Sequence, residues 1–206
     1  MYHLIGGVRV RDSKKFKDIP FVIVKMEEDY PFSDNWCIWE HRNDMEDYEK
    51  NLNKLCVFSD VITFWRWFKL IPKPTDFFYS QKRNRGLVGG RSVVSYSIFR
   101  EGISPKWEDP VAHDGGEWRI RRFKNLLELD DVWENIVLLV LGNSLDMSEN
   151  ILGVRVVDSS HLETGKAMYN VEIWFDQMER SEVIQKSIGN YMPDLDVHKM
   201  YLRNHK

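Results

Sequence analysis

LDDVWENIVLLVLG (129–142), followed by NILGVRVVD (150–158) and AMYNVEIWF (167–175), decides the fold. The first segment repeats its apolar residues at helical spacing, with Asp130 or Asp131 to cap its start and Gly142 to stop it. The next two are rich in β-branched and aromatic residues and are joined by the polar loop SSHLETGK, so they read as two adjacent strands. Downstream, DQMERSEVIQKSIGN is an amphipathic helix with Asp176 as its cap, and DVHKMYL is a last strand. Upstream, SVVSYSIF and EWRIRRF are strands, the second alternating Trp118 and Ile120 against arginines as a strand with one wet face does. SDVITFWRWFKLI is a helix capped by Ser59 or Asp60 that ends before PKP, and WCIWEHR is a strand covered on both sides. NDMEDYEKNLNKL reads as a loop, and FVIVKM as an edge strand. Strand pairs with short connections, separated by helices, imply an α+β fold: an antiparallel sheet with helices on one face.

The chain has 206 residues, 43% apolar and 30% charged, which suits one globular domain over 29–206. Residues 1–28 carry many charges and little periodicity and read as a mobile leader. Segment 72–92, with QKRNRGLVGGR in it, has the most loop-like composition and reads as an inserted mobile loop. With 29 basic and 32 acidic residues the formal charge is −3, so bulk attraction to a polyanion or an acidic membrane is excluded and any such grip must be local. Cys37 and Cys56 have no CxxC or His/Cys context, so no zinc site or disulfide framework is expected. No signal peptide and no membrane span is visible, which favours the cytoplasm or the nucleus. Nucleophile elbows, phosphate-cradling glycine loops, metal-ligand helices and paired catalytic carboxylates are missing, so neither catalysis nor a cofactor is expected.

Aromatic residues make up 13% of the chain, and one of them stands apart. In SPKWEDP (104–110), Trp107 lies between two prolines, in a loop with few apolar neighbours, and Glu108 follows it. Either the indole folds back as a lid, or it is held out as a stacking platform. In the second reading the carboxylate accepts the adjacent N1–H and N2–H donors of guanine. Methylation at N7 makes that base cationic, which adds a cation–π component to stacking and strengthens the N1–H donor.

YPFSDNWCIWEH, VITFWRWF, YSIFREGISPKWED, GGEWRI, VWENIVLLVLG and the IW pair at 173–174, in this order and spacing, resemble the eukaryotic translation initiation factor 4E family, which binds the 7-methylguanosine cap of mRNA. The resemblance runs from about Tyr30 to Tyr201. It implies a curved antiparallel sheet with three helices on the convex face and the mRNA-cap slot on the concave face. It implies that Trp107 and Tyr48 sandwich the base, with Tyr48 where most members have Trp. Glu108 then reads guanine and Trp174 contacts the N7-methyl group. Three positions that carry phosphate-binding cations in the family are here Glu117, Ser159 and Asn170, so Arg155, Lys166 and His161 stand as the candidate phosphate ligands. On the other face, Trp65 with Pro31, Val61, Leu138 and Gly142 matches the groove where the family docks a helical segment of a 4G-type scaffold or of a repressor; Glu134 replaces a leucine typical there. A monomeric reader of capped mRNA in translation initiation is the function so implied. Its alternative is a protein-interaction module or translational repressor with weak affinity for the mRNA cap.

Overall fold

The computed structural model describes residues 3–5, 8–10, 30–42, 48–80, 84–88, 90–123 and 125–206. The N-terminal segment contributes a small antiparallel hairpin, β1 (His3–Ile5) with β2 (Val8–Val10); FVIVKM lies outside the described residues. The main sheet is built from β3 (Pro31–Arg42), β4 (Leu52–Asp60), β6 (Arg91–Arg100), β7 (Gly116–Ile120), β8 (Ile151–Asp158), β9 (Tyr169–Phe175) and β10 (Tyr201–Asn204). They run in the order β10-β7-β9-β8-β6-β3-β4, every pairing antiparallel, and the two-residue β5 (Leu87–Val88) pairs with β6. The helices are α1 (Tyr48–Asn51), α2 (Val61–Phe68), α3 (Pro74–Phe77), α4 (Leu126–Leu141) and α5 (Ser181–Tyr191), of which α1 and α3 are single turns.

Alternation along the strands sorts two faces, because successive side chains on a strand point to opposite sides. Trp36, Ile38, Tyr96, Ile98, Trp118, Ile120, Val154, Val156, Val171, Ile173 and Phe175 join Phe64 of α2, Leu129 and Ile136 of α4 and Ile184 and Ile188 of α5 in one apolar core. All three long helices therefore cover the same face of the curved α+β sheet. The opposite face holds a smaller apolar cluster of Phe99, Ile103, Ala112, Leu152 and Trp174, with Trp39 against it.

Several sequence expectations change. The stretch read as a loop forms the single turn α1 through Asn51 and then opens strand β4 at Leu52, since the backbone of the sheet's last strand pairs with β3 whatever its side chains. Helix α4 starts one turn early: Asn125 caps it by accepting from the Glu128 N–H, and Asp130 lies inside the helix, buried, accepting from the Thr75 N–H and hydroxyl. Asp176 does not cap α5; it accepts from Asn150 Nδ2 at 2.9 Å, and a 3₁₀ turn at Met178–Arg180 precedes the helix. DVHKMYL splits into a 3₁₀ turn, Val197–Lys199, and β10. Within 72–92, Phe77, Phe78 and Tyr79 are buried, the Tyr79 N–H donates to Asp158, and Arg85 pairs with the same carboxylate at 2.8 Å. Residues 81–83 lie outside the described ones.

Candidate ligand-binding face

The loop between β6 and β7 is held by one buried carboxylate. Asp109 accepts from the Ser104 N–H at 2.8 Å and from the Val111 N–H at 3.0 Å, and its carbonyl receives the N–H groups of Ala112 and His113. Between these ties, Trp107 is 40% exposed and Glu108 is exposed. The lid reading fails, because the indole is not folded into the core. A planar cation already lies on it: the Arg203 guanidinium carbon is 3.8 Å from the ring centroid. Arg203 comes from β10, which pairs with β7 in the register Arg203↔Glu117. Gly116 permits that pairing, since a Cβ there would stand 2.5 Å from the Arg203 carbonyl oxygen.

Beneath Arg203 the second face of β7 is dry rather than wet. Glu117 is fully buried, ion-paired with Arg119, 3.1 Å from His205 Nε2 and 4.0 Å from Arg203 Nη1. Burial pushes its carboxyl up, but the His205 hydrogen bond and the Arg119 charge outweigh that and hold it below the usual range. Glu172, opposite Arg119, goes the other way: burial raises it despite Arg155, with the Glu117 charge adding to the rise. Trp174 stands opposite Glu117 and is fully buried, 4.4 Å from the His205 ring and edge-on to Phe99. In this arrangement it offers no surface to an N7-methyl group; His205 covers it. Trp107 and Trp174 thus occupy one end of the sheet, linked through Arg203, Glu117 and His205. Tyr48 opens α1, and its side chain lies outside the described ones.

The three expected phosphate ligands do not line one pocket. Arg155 projects from β8, donating to Ser95 Oγ and His41 Nδ1 at 3.2 Å each. It shares a pocket of about 650 Å³ with His161, whereas Lys166 lines a different one. His161 and Lys166 face each other across a backbone bridge in the β8–β9 loop. The positions where the resemblance expects cations are satisfied among themselves: Asn170 Nδ2 donates to Ser159 Oγ at 3.1 Å. Arg155 is therefore committed to the fold. Burial, reinforced by Arg155, lowers His41 from 6.5 to about 4, so its ring is neutral and accepts. A histidine depressed in the folded state costs stability as pH falls from its unfolded value toward the folded one. Unfolding free energy should drop by on the order of 2 kcal/mol between pH 6.5 and 5, and the His41→Gln difference curve should isolate that loss.

On the helix face, β3 and α2 meet where Pro31 pairs with Asp60 and the Val61 N–H donates to Tyr30. Asn143, just past α4, donates to Ser33, which brings Gly142 to the same edge. Trp65 is half-buried against Phe64 and Phe68, with Lys69 over its ring, and Leu138 is exposed. Trp65 also lines a pocket of about 620 Å³ with Phe68, Trp133 and Glu134. Pro31, Val61, Trp65, Leu138 and Gly142 are thus carried by the β3, α2 and α4 edge. Arg203 and His205 were not marked by the sequence, because no periodicity announces the register of β10.

The family model for eukaryotic initiation factor 4E matches residues 31–203. The chain belongs to that family. Among curated relatives, the translation initiation factor NCBP of rice is 31% identical over 129 residues, 61% of this chain and 50% of its own. Initiation factor 4E-5 of Caenorhabditis elegans is 32% identical over 130 residues, 61% of this chain and 58% of its own. The chain thus spans about half the length of such relatives. Among solved structures, Ascaris suum eIF4E-3 with an m2,2,7G cap superposes with a TM-score of 0.68 at 23% identity, covering 87% of this chain and 93% of that one. C. elegans eIF4E-3 in complex with the 4E-binding protein Mextli gives 0.68 at 23%, covering 87% and 95%. At that identity the likeness speaks for the fold.

Proposed function

We propose that this chain reads the 7-methylguanosine cap of mRNA without catalysis and recruits a helical partner in translation initiation. The observation that carries it is Trp107, held 40% exposed beside an exposed Glu108 on a loop tied down by Asp109. A rigid loop presents the indole with little ordering entropy left to lose at binding. The stacked Arg203 supports the reading, since a guanidinium resembles a cationic base in shape and charge. The ligand's base takes the indole face and Glu108 accepts from its edge. Contact with Trp174 requires that His205 move.

Titrating tryptophan fluorescence with 7-methyl-GTP, GTP and 7-methylguanosine tests this. Quenching selective for the methylated base supports it; equal quenching by GTP, or none by any ligand, refutes it. A second reading, an interaction module with weak affinity for the mRNA cap, is favoured by buried Glu117 and by the Ser159–Asn170 hydrogen bond.

Partner docking is assigned to the Trp65 edge, as an amphipathic helix laid on an apolar groove. Trp65→Ala should weaken binding of a 4G-type helical peptide at least about tenfold, consistent with an aromatic hot spot, and leave 7-methyl-GTP affinity unchanged. Loss of both together would make Trp65 a core residue.

A further inference from the structure

One short segment lays a flat side chain on each of the two indoles of the ligand face. Arg203, in β10, puts its guanidinium carbon 3.8 Å from the centroid of Trp107, and His205, just past the strand, puts its ring 4.4 Å from that of Trp174. The backbone is tied at both residues: Arg203 pairs opposite Glu117, and the His205 N–H donates to the Gly115 carbonyl. His205 is the fixed end. Its side chain is fully buried, with Nδ1 2.9 Å from the Ala112 carbonyl oxygen and Nε2 3.1 Å from Glu117. Arg203 is the loose end, because its side chain is 33% exposed and lies 4.0 Å from Glu117, an ion-pair distance too long for a hydrogen bond. The guanidinium therefore stands between Trp107 and a floor made by Glu117, Trp174 and His205. A base that stacks on Trp107 from the side of Trp174 has to enter that same space.

We infer that Arg203 is an internal occupant of the ligand slot, a tethered flat cation that holds the place of the base and swings off before a ligand stacks. The inference rests on the cap reading and adds a regulation of that site. Being part of the chain, the guanidinium reaches the indole without the loss of translational freedom that a free ligand bears. The opposite charge of Glu117 across the strand pair keeps it over the sheet. The cover is light all the same, since a cation–π contact at an exposed site is weak and the Arg203 stem has solvent to move into. A ligand that needs the bare indole has its apparent affinity reduced by the fraction of time the indole is bare. That penalty is equal for every base, so the occupant lowers affinity without altering the order of preference.

Two measurements on Arg203→Ala test this. Without ligand, acrylamide quenching of Trp107, taken as the difference from Trp107→Phe in each background, should increase. With ligand, 7-methylguanosine and guanosine should both bind about three- to tenfold more tightly and by the same factor. Nucleosides are the probes because loss of a cation weakens phosphate-bearing ligands by itself. Arg203→Lys, which keeps the charge opposite Glu117 but not the plane, should fall between wild type and alanine. Unchanged quenching overturns the inference, and so does unchanged affinity, which would put the guanidinium on the indole face away from the ligand. Tightening for the methylated base alone also overturns it, as relief of charge repulsion, and weaker binding would make Arg203 a wall of the site. If quenching rises while neither protein binds either nucleoside, the cap reading fails and the internal occupant stands.

Discussion

Trp107→Ala should lower affinity for 7-methyl-GTP by roughly 5- to 150-fold and leave thermal stability unchanged. One base–aromatic stack contributes about 1–3 kcal/mol, and 1.4 kcal/mol is a factor of ten. Stability is spared because the indole belongs to neither apolar cluster, and the loop around it is closed by Asp109 rather than by packing. Trp107→Phe, with a smaller ring, should fall between wild type and alanine. Wild-type affinity in the alanine variant would remove Trp107 from the site. A large fall in melting temperature would instead make the indole structural, a role that its 40% exposure argues against.

The exposure of Trp107 and Glu108 was legible because its signal is local: two prolines, an acid and few apolar neighbours within one loop. The central strands were legible for a similar reason. In β9, Val171, Ile173 and Phe175 alternate with Asn170, Glu172 and Trp174, and the structure sends the first set to the helices. What escaped depends on register between distant segments. Arg203 meets Trp107 only because β10 pairs with β7 in one register, and Glu117 is buried only because that pairing places His205 beside it. A run such as EWRIRRF shows arginines on one side of a strand, which ordinarily means solvent. Here Arg119 pairs instead with the buried carboxylates of Glu117 and Glu172. Polar NLNKL misled for the opposite reason: β4 needs only the backbone pairing with β3, which leaves no mark on side-chain chemistry. The helix caps slipped by a turn because Asp130 and Asp176 satisfy caps by composition but are engaged elsewhere, by Thr75 and Asn150.

Restoring the cation that the family resemblance places at position 117 should not restore phosphate binding; Glu117→Arg should instead destabilise the fold by about 3–5 kcal/mol, the cost of breaking a buried ion pair. The carboxylate is fully buried, and Arg119, Arg203 and His205 all gather on it. A guanidinium there would leave three basic groups facing a fourth, with Glu172 as the carboxylate that still pairs with Arg119 among the described residues. The depressed carboxyl of Glu117 gives an independent sign: its contribution to stability is present above the ordinary glutamate range and is lost as pH falls through its lower folded value. Urea unfolding of wild type and Glu117→Arg at neutral pH reads the difference directly. A variant as stable as wild type, binding 7-methyl-GTP more tightly, would mean that position 117 faces the ligand's phosphates. A destabilised variant would mean that the acid at 117 anchors β10, and with it Arg203 over Trp107. The acid at 117 would then stand, in place of a phosphate ligand, as a floor beneath the reading loop.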